Sequence, residues 1–499
     1  MATQNTVSKD FISSGVPGLD LVLGGGLTKE RLYLVEGDPG SGKTTMALQF
    51  LIEGARQGEK VLYVTLAENE VELRAVADSH GFSMDGVTVH EVIPEEGLLD
   101  PAEQYTALHP SEVELSETNN LILEMIEKLR PTRVVLDSLS ELQLLSGDAL
   151  RYRRHVLGLK QYFARRSCTA LLLDDKSSIR RDLQVRSITH GVISLQHFDS
   201  EYGAERRVVR ILKYRGIAYR RGPHDYSIIT GGIVVYPNVI AAESRELAER
   251  GQIKSGLDAF DALLGGGIEE GSSTLISGPP GTGKSSLANQ FVKAVTESGD
   301  KASMFLFEES FNTLLNRSKG IGLDLRAPFE SGLLSVHQID PAEMSPGEFS
   351  HAVCKSADDG AKVIVIDSLN GYLNAMPHAR FLSTHLHEVL TYLGQRGVAT
   401  FLIGVQQGMV GTMTTGIDVS YMADNVLILR YFEARGSVEK AISVFKKRGS
   451  AHETTLRRLC ITKNGIEVGA VLNNFQGVLT GVPSVVSPLD DIRSQEITK

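Results

Sequence analysis

The chain has 499 residues, 42% of them hydrophobic and 22% charged, a globular balance that excludes wholesale disorder. Its net charge of -10, from 51 Lys and Arg against 61 Asp and Glu, disfavours nucleic acid as a partner, because neutralising phosphates calls for a basic excess. Three cysteines, Cys168, Cys354 and Cys460, are odd in number and far apart, which excludes a disulfide scaffold or a cysteine-built zinc site and points to a reducing compartment.

The polar start Met1–Asp10 lacks the form of a secretory signal, and no stretch approaches the about 18 apolar residues of a membrane span. A cytoplasmic protein with no membrane partner is expected. Length alone allows about three domains. The 49 glycines against 16 prolines pose a question: are they flexible filler, or fixed at particular sites?

In chain order, Gly18-Leu19-Asp20 and Gly24-Gly25-Gly26 come first, followed by an apolar strand at Leu32–Val35. Gly37-Asp38-Pro39-Gly40-Ser41-Gly42-Lys43-Thr44-Thr45 then leads into a helix with Met46, Ala47, Phe50 and Leu51 on one face. Further strands are predicted at Val61–Leu66, Val134–Leu136 and Ala170–Leu173, and β-rich segments at Val208–Tyr214 and Ile228–Val235.

After residue 241 the pattern starts again. Gly256-Leu257-Asp258 and Gly265-Gly266-Gly267 precede a strand at Thr274–Ile276. Gly278-Pro279-Pro280-Gly281-Thr282-Gly283-Lys284-Ser285-Ser286 repeats the first loop at an offset of 241 (278 − 37). Leu287, Ala288, Phe291 and Val292 repeat the helix face. Strands follow at Met304–Phe307, Val363–Ile366 and Thr400–Ile403, then β-rich Asn425–Tyr431 and Ala441–Phe445. Val134–Leu139 matches Ile364–Leu369 at 230 (364 − 134), so the first half carries a net 11 extra residues (241 − 230), placed in the acidic segment Asp100–Thr118.

Matches this long mean duplication. Strands apolar on both faces that alternate with helices indicate a parallel sheet flanked by helices. The expected organisation is a first domain over 1–240, a linker over 241–253, a second domain over 254–483 and a tail over 484–499.

The pattern G-x-x-x-x-G-K-[ST] between a strand and a helix is a phosphate loop. Its glycines let backbone N–H groups approach phosphates, and the helix N-terminus adds positive potential. Lys43 and Lys284 supply charge for ATP, while Thr44 and Ser285 supply hydroxyls to Mg²⁺. Asp137 and Asp367 end apolar strands and read as the accompanying magnesium carboxylates. Glu68 and Glu309 stand 25 residues after the lysines (68 − 43 and 309 − 284) and read as water-activating carboxylates. The second half has Glu308 beside Glu309, whereas the first has Ala67 at the matching place, so slower or different chemistry is expected there.

The duplicated loops, the Gly-Leu-Asp and Gly-Gly-Gly signatures, Phe307-Glu308-Glu309-Ser310 and Phe445-Lys446-Lys447-Arg448-Gly449-Ser450 together resemble the KaiC family of ATPases, from about Ser13 to about Thr480. That resemblance implies two tandem RecA-like α/β P-loop NTPase domains and a hexameric double ring with ATP between subunits. It implies that Lys213 and Arg215, and Lys446 and Arg448, reach the neighbouring subunit's phosphate. It also implies an autokinase in the second half and partners of the KaiA or KaiB type or other signalling proteins. Ser420 falls on the family's serine acceptor, but Tyr421 replaces the threonine acceptor, so a two-step cycle cannot run unchanged. Thr414 and Thr415 lie just upstream as alternates. Phe475–Gly481 is similar to the family's ring-lining loop, and Val485–Lys499 reads as a docking segment. Two rivals stay open: a RecA/RadA-like DNA-dependent ATPase, and an ATP-gated scaffold with little turnover.

Overall fold

A computed structural model describes residues 11–92, 110–146, 148–176, 183–198, 204–240, 251–340, 342–374, 379–406, 420–434, 436–479 and 484–485. Alternate side chains of the first long strand, Leu32–Gly37, point to opposite faces. Tyr33 and Val35 enter one apolar cluster, Leu32 and Leu34 another. Helix Lys43–Arg56 covers the first face with Met46, Ala47, Phe50 and Leu51, the stripe predicted from its spacing. Helix Ala149–Arg165 covers the second with Tyr152, Val156, Leu159 and Phe163. The second half repeats this, with Ile276 and helix Lys284–Glu297 in one cluster and Leu275 and helix Ala379–Gln395 in the other.

The chain divides into two compact units, Met1–Asn238 and Val239–Lys499. Each holds a 9-stranded sheet. In the first unit the strands run parallel in the order Val87–Glu91, Val61–Thr65, Arg133–Asp137, Thr169–Asp175, Leu32–Gly37, Gly191–Phe198. Arg206–Tyr214, His224–Ile229 and Gly232–Tyr236 extend it antiparallel. The second unit has the same order: Leu334–Gln338, Lys301–Leu306, Ala361–Asp367, Ala399–Val405, Ser273–Gly278 and Asn425–Ala434 parallel, then Ser437–Lys447, Arg457–Thr462 and Gly465–Val471 antiparallel. These are tandem RecA-like α/β folds, in which the crevice lies beyond the carboxyl ends of the parallel strands.

Gln252–Ile253, read from sequence as the end of the linker, pairs antiparallel with Ile268–Glu269 and so belongs to the second unit's fold. It matches Phe11–Ile12 on Leu27–Thr28 in the first. Between each pair of strands lies the Gly-Gly-Gly turn. Gly24 and Gly265 adopt φ of 75° and 71°, and a Cβ on them would sit 2.3 Å from the Ala218 carbonyl oxygen and 2.0 Å from that of Ala451. No other residue fits there. Of the segment Asp100–Thr118, residues 110–118 open helix Pro110–Leu129, 20 residues against 13 in its counterpart Pro346–Asp358; the remainder lies outside the described residues. So do Met1–Asp10, the charged linker stretch 241–250, Thr414, Thr415 and the segment after Val485. Among the described residues no helix is long and apolar enough to cross a membrane.

Candidate functional site

Both phosphate loops leave a strand and turn into a helix through a left-handed glycine, Gly42 at φ 91° and Gly283 at φ 102°. A Cβ on Gly42 would lie 2.8 Å from Ile228 Cδ1, and one on Gly283 2.2 Å from Ile461 Cδ1, so the loops close only without side chains. Tyrosines of other strands brace them: Tyr226, on antiparallel His224–Ile229, donates its hydroxyl to the Ser41 carbonyl (2.6 Å), and Tyr431, on parallel Asn425–Ala434, to that of Pro280 (3.1 Å). Thr282 Oγ1 donates to the Pro279 carbonyl at 2.8 Å. Ser41 Oγ and Glu68 Oε2 are buried with no hydrogen-bond partner among the described residues. Orphaned polar atoms beside a side-chain-free cradle fit a polyanion with a hydrated cation, which is the chemistry of ATP and Mg²⁺.

The two lysines are held differently. Lys43 Nζ donates to the carbonyls of Gly37 and Asp38, both at 3.1 Å, and pairs with Asp175 at 2.6 Å. Lys284 Nζ donates to the Pro279 carbonyl at 2.8 Å. Burial pushes the Lys284 ammonium down to about 8, against the pull of Asp367 and Glu308. In the second sheet Val405 holds the place of Asp175, since Gly278 pairs with Val405 as Gly37 pairs with Asp175.

Beside each lysine stand the strand-ending aspartate and the loop hydroxyl expected to accompany it. Thr44 lies near enough to Asp137, and Ser285 to Asp367, for each hydroxyl to favour the charged carboxylate. Burial raises both carboxyls above the usual range, and these hydroxyls work against it. The peptide bonds Asp137–Ser138 and Asp367–Ser368 are both cis. Only the first half adds a phenol: buried Tyr63 donates to Asp137 Oδ2 at 2.5 Å.

Glu308 and Glu309, expected as a carboxylate pair, face different partners. Arg317 grips Glu309 with two hydrogen bonds, 2.8 and 2.7 Å, and reaches Ser286 Oγ at 3.2 Å. Glu308 accepts from Ser368 Oγ at 2.9 Å and feels both Lys284 and Asp367. In the first half Val76 stands where Arg317 would (76 + 241), so Glu68 lacks the counterpart of that guanidinium. Burial raises the Glu68 carboxyl, with Asp137 and Glu72 adding to it and Lys43 opposing.

The four cations expected to reach a neighbouring subunit stand at the other edge of their sheets. Tyr214 pairs with Gly191 and Gly191 with Tyr33, which places Lys213 and Arg215 at the amino ends of the parallel strands. Lys447 pairs with Asn425 and Asn425 with Thr274, which places Lys446 and Arg448 likewise. The structure therefore does not bring these residues to the phosphate loop of their own half. Lys213 Nζ donates to the carbonyls of Ser187 (3.1 Å) and Thr189 (2.6 Å), and Arg215 to that of Ser187. Burial, with Arg215 and Lys160, pushes Lys213 down to about 8. Lys446 Nζ donates to the carbonyls of Ser420 (2.9 Å) and Ala423 (2.7 Å), and Arg448 to that of Tyr421 (3.0 Å) while facing Asp424 at 3.5 Å. Tyr421 is exposed.

Asp175, Tyr63, Arg317 and Ser368 escape the sequence reading. Asp175 carried the same signal as Asp137, an acid closing an apolar run; Arg317 stands on the helix two turns beyond Glu309. Tyr63 and Ser368 carry none.

A family model described as "ATPase: KaiC" matches residues 12–240 and 253–472. The chain is 28% identical to the circadian clock oscillator protein KaiC of Parasynechococcus marenigrum (strain WH8102), over 97% of this chain and 95% of that protein. It is 27% identical to the circadian clock protein KaiC3 of Synechocystis sp. (strain ATCC 27184 / PCC 6803 / Kazusa), over 97% and 96%. With the circadian clock oscillator protein KaiC of Thermostichus vulcanus it shares 28%, over 97% and 94%. With duplicated phosphate loops and both repeats matched, the chain belongs to the KaiC family of ATPases.

Proposed function

We propose that the protein hydrolyses ATP as a hexameric double ring of the KaiC type, phosphorylates itself on Ser420, and acts in signalling or timing. Lys284 and the backbone N–H groups of the second loop receive the phosphates, and Ser285 and Asp367 hold Mg²⁺, which draws charge from the terminal phosphate when bound. Glu308, oriented by Ser368, takes the proton from the attacking oxygen. In hydrolysis that oxygen is water's. In self-phosphorylation it is Ser420 Oγ, which forms a bond to the terminal phosphorus as the bond to ADP breaks. Glu309 stays on Arg317, a positioning pair rather than a second base.

The observation that carries this reading is the opposite-edge placement of Lys446 and Arg448. Cations that cannot reach their own phosphate loop serve a neighbour's, and Lys446 holds the Ser420 carbonyl at 2.9 Å. A neighbour's terminal phosphate that meets Lys446 thus also meets the Ser420 turn. Lys213 and Arg215 take the same part in the first half, where Thr44 and Asp137 hold Mg²⁺ and Glu68 is the remaining carboxylate. Turnover there is slower, because Ala67 leaves no counterpart of Glu308. The relatives' names tie them to circadian clocks, and Tyr421 in place of a second acceptor favours a single-site phosphorylation signal here. Protein partners of KaiA or KaiB type, or other signalling proteins, would read that state.

Phosphosite mapping after incubation with ATP and Mg²⁺, beside native mass measurement, tests the reading. Hexamers carrying phosphate on Ser420, lost in Ser420→Ala and Lys284→Ala, are expected. Hexamers with no phosphate gain would remove the kinase activity, and monomers under all nucleotide conditions would remove the trans arrangement.

A further inference from the structure

An ammonium group has three N–H bonds to give. Lys43 gives them to the carbonyls of Gly37 and Asp38 and to the Asp175 carboxylate. Phosphate oxygens arriving at Lys43 must therefore displace a partner. The two carbonyls belong to the loop's own backbone. Asp175 is a side chain at a strand end, 35% exposed, and is the partner able to swing away. In the second half the same strand position is Val405, and Lys284 is held through the Pro279 carbonyl.

Given that the first half is a nucleotide site, we propose that Asp175 sets the affinity of that site for nucleotide. Its carboxylate competes with nucleotide phosphates for the Lys43 ammonium, so the first site holds ATP more weakly than the second. The surroundings reinforce the competition. Once displaced, Asp175 remains near Asp137, whose charge it already disfavours, and Asp137 in turn opposes the charge of Glu68. Among the described residues, Arg186 is committed to buried Glu36 through two bonds of 2.7 Å, and Lys176 donates to Ser194 Oγ at 2.7 Å.

The test is equilibrium binding of a fluorescent, non-hydrolysable ATP analogue with Mg²⁺ to the full-length chain. Lys284→Ala silences the second site and leaves the first to be read. Adding Asp175→Asn should tighten binding about tenfold, the scale of one charge-assisted hydrogen bond no longer to be broken. The mirror experiment installs the acid: Val405→Asp in a Lys43→Ala chain should weaken the second site by a similar factor. Unchanged or weaker binding with Asp175→Asn, or unchanged affinity with Val405→Asp, would overturn the inference. If the Lys284→Ala chain binds no analogue with or without Asp175 while the Lys43→Ala chain does, the first half is not a nucleotide site, and the inference falls with that reading.

Discussion

Lys284 makes a pH dependence at the scale of one residue. Its ammonium is held down to about 8 in the free site by burial. Phosphate oxygens would stabilise the charged form and raise that value, so nucleotide binding takes up a proton above pH 8. Affinity of the second site is then flat below pH 8 and falls above it, by at most about tenfold per pH unit. Titration of the analogue into a Lys43→Ala chain from pH 7 to 9.5 checks this, and a flat profile would contradict it. Arg317 is the second residue to probe. Arg317→Ala strands Glu309, whose side chain is only 20% exposed. With solvent screening allowed for, denaturant unfolding of the nucleotide-free chain should show a loss of about 1–2 kcal/mol. The tandem glutamates looked alike in sequence because adjacency says nothing of partners. What separates them is Arg317, two helical turns on, and Ser368, contributed by another strand's end. Local spacing reveals which residue types are present; long-range partners decide which of them is free to act.

Among elements, the Gly-Gly-Gly turns answer the question the composition posed. Gly265 at φ 71° meets the Ala451 carbonyl oxygen, so Gly265→Ala combines a left-handed penalty with a backbone clash and should cost about 3 kcal/mol or more. Gly299, at φ 86° with nothing within 4 Å of a Cβ, bears only the first penalty, and Gly299→Ala should cost about 1 kcal/mol. Equal melting losses for the two would contradict that account. The parallel strands at Leu32–Gly37, Val61–Thr65, Arg133–Asp137 and Thr169–Asp175 were legible because both their faces are buried and their sequences are continuously apolar. The equally central Gly191–Phe198, opened by a glycine and interrupted by Ser194, was not. Val87–Glu91 and Leu334–Gln338 escaped because they are edge strands, buried fully at one residue each and mixed thereafter. The antiparallel strands Arg457–Thr462 and Gly465–Val471 escaped because their burial is likewise mixed, with one and two fully buried residues.

The whole molecule is one architecture written twice and then edited. The duplication, both loops and both aspartates were legible because each is a contiguous motif with an in-register copy. The edits were legible only where one letter changed inside a motif, as at Ala67 and Tyr421. Asp175 and Tyr63 change the first site from strands outside it, and only the folded sheet brings them to Lys43 and Asp137. The opposite-edge cations make a prediction at this scale. Lys446→Ala and Lys284→Ala chains, each impaired in second-site hydrolysis, should recover activity when mixed and reassembled, because a shared site then regains one intact residue from each; no recovery in verified mixed rings would contradict a trans site. The division of labour between the halves is tested most directly by single-turnover ATP hydrolysis in Lys43→Ala and Lys284→Ala chains. Most of the hydrolysis should survive Lys43→Ala and disappear with Lys284→Ala, since Glu308 has no counterpart at Ala67; equal losses in the two would contradict the account.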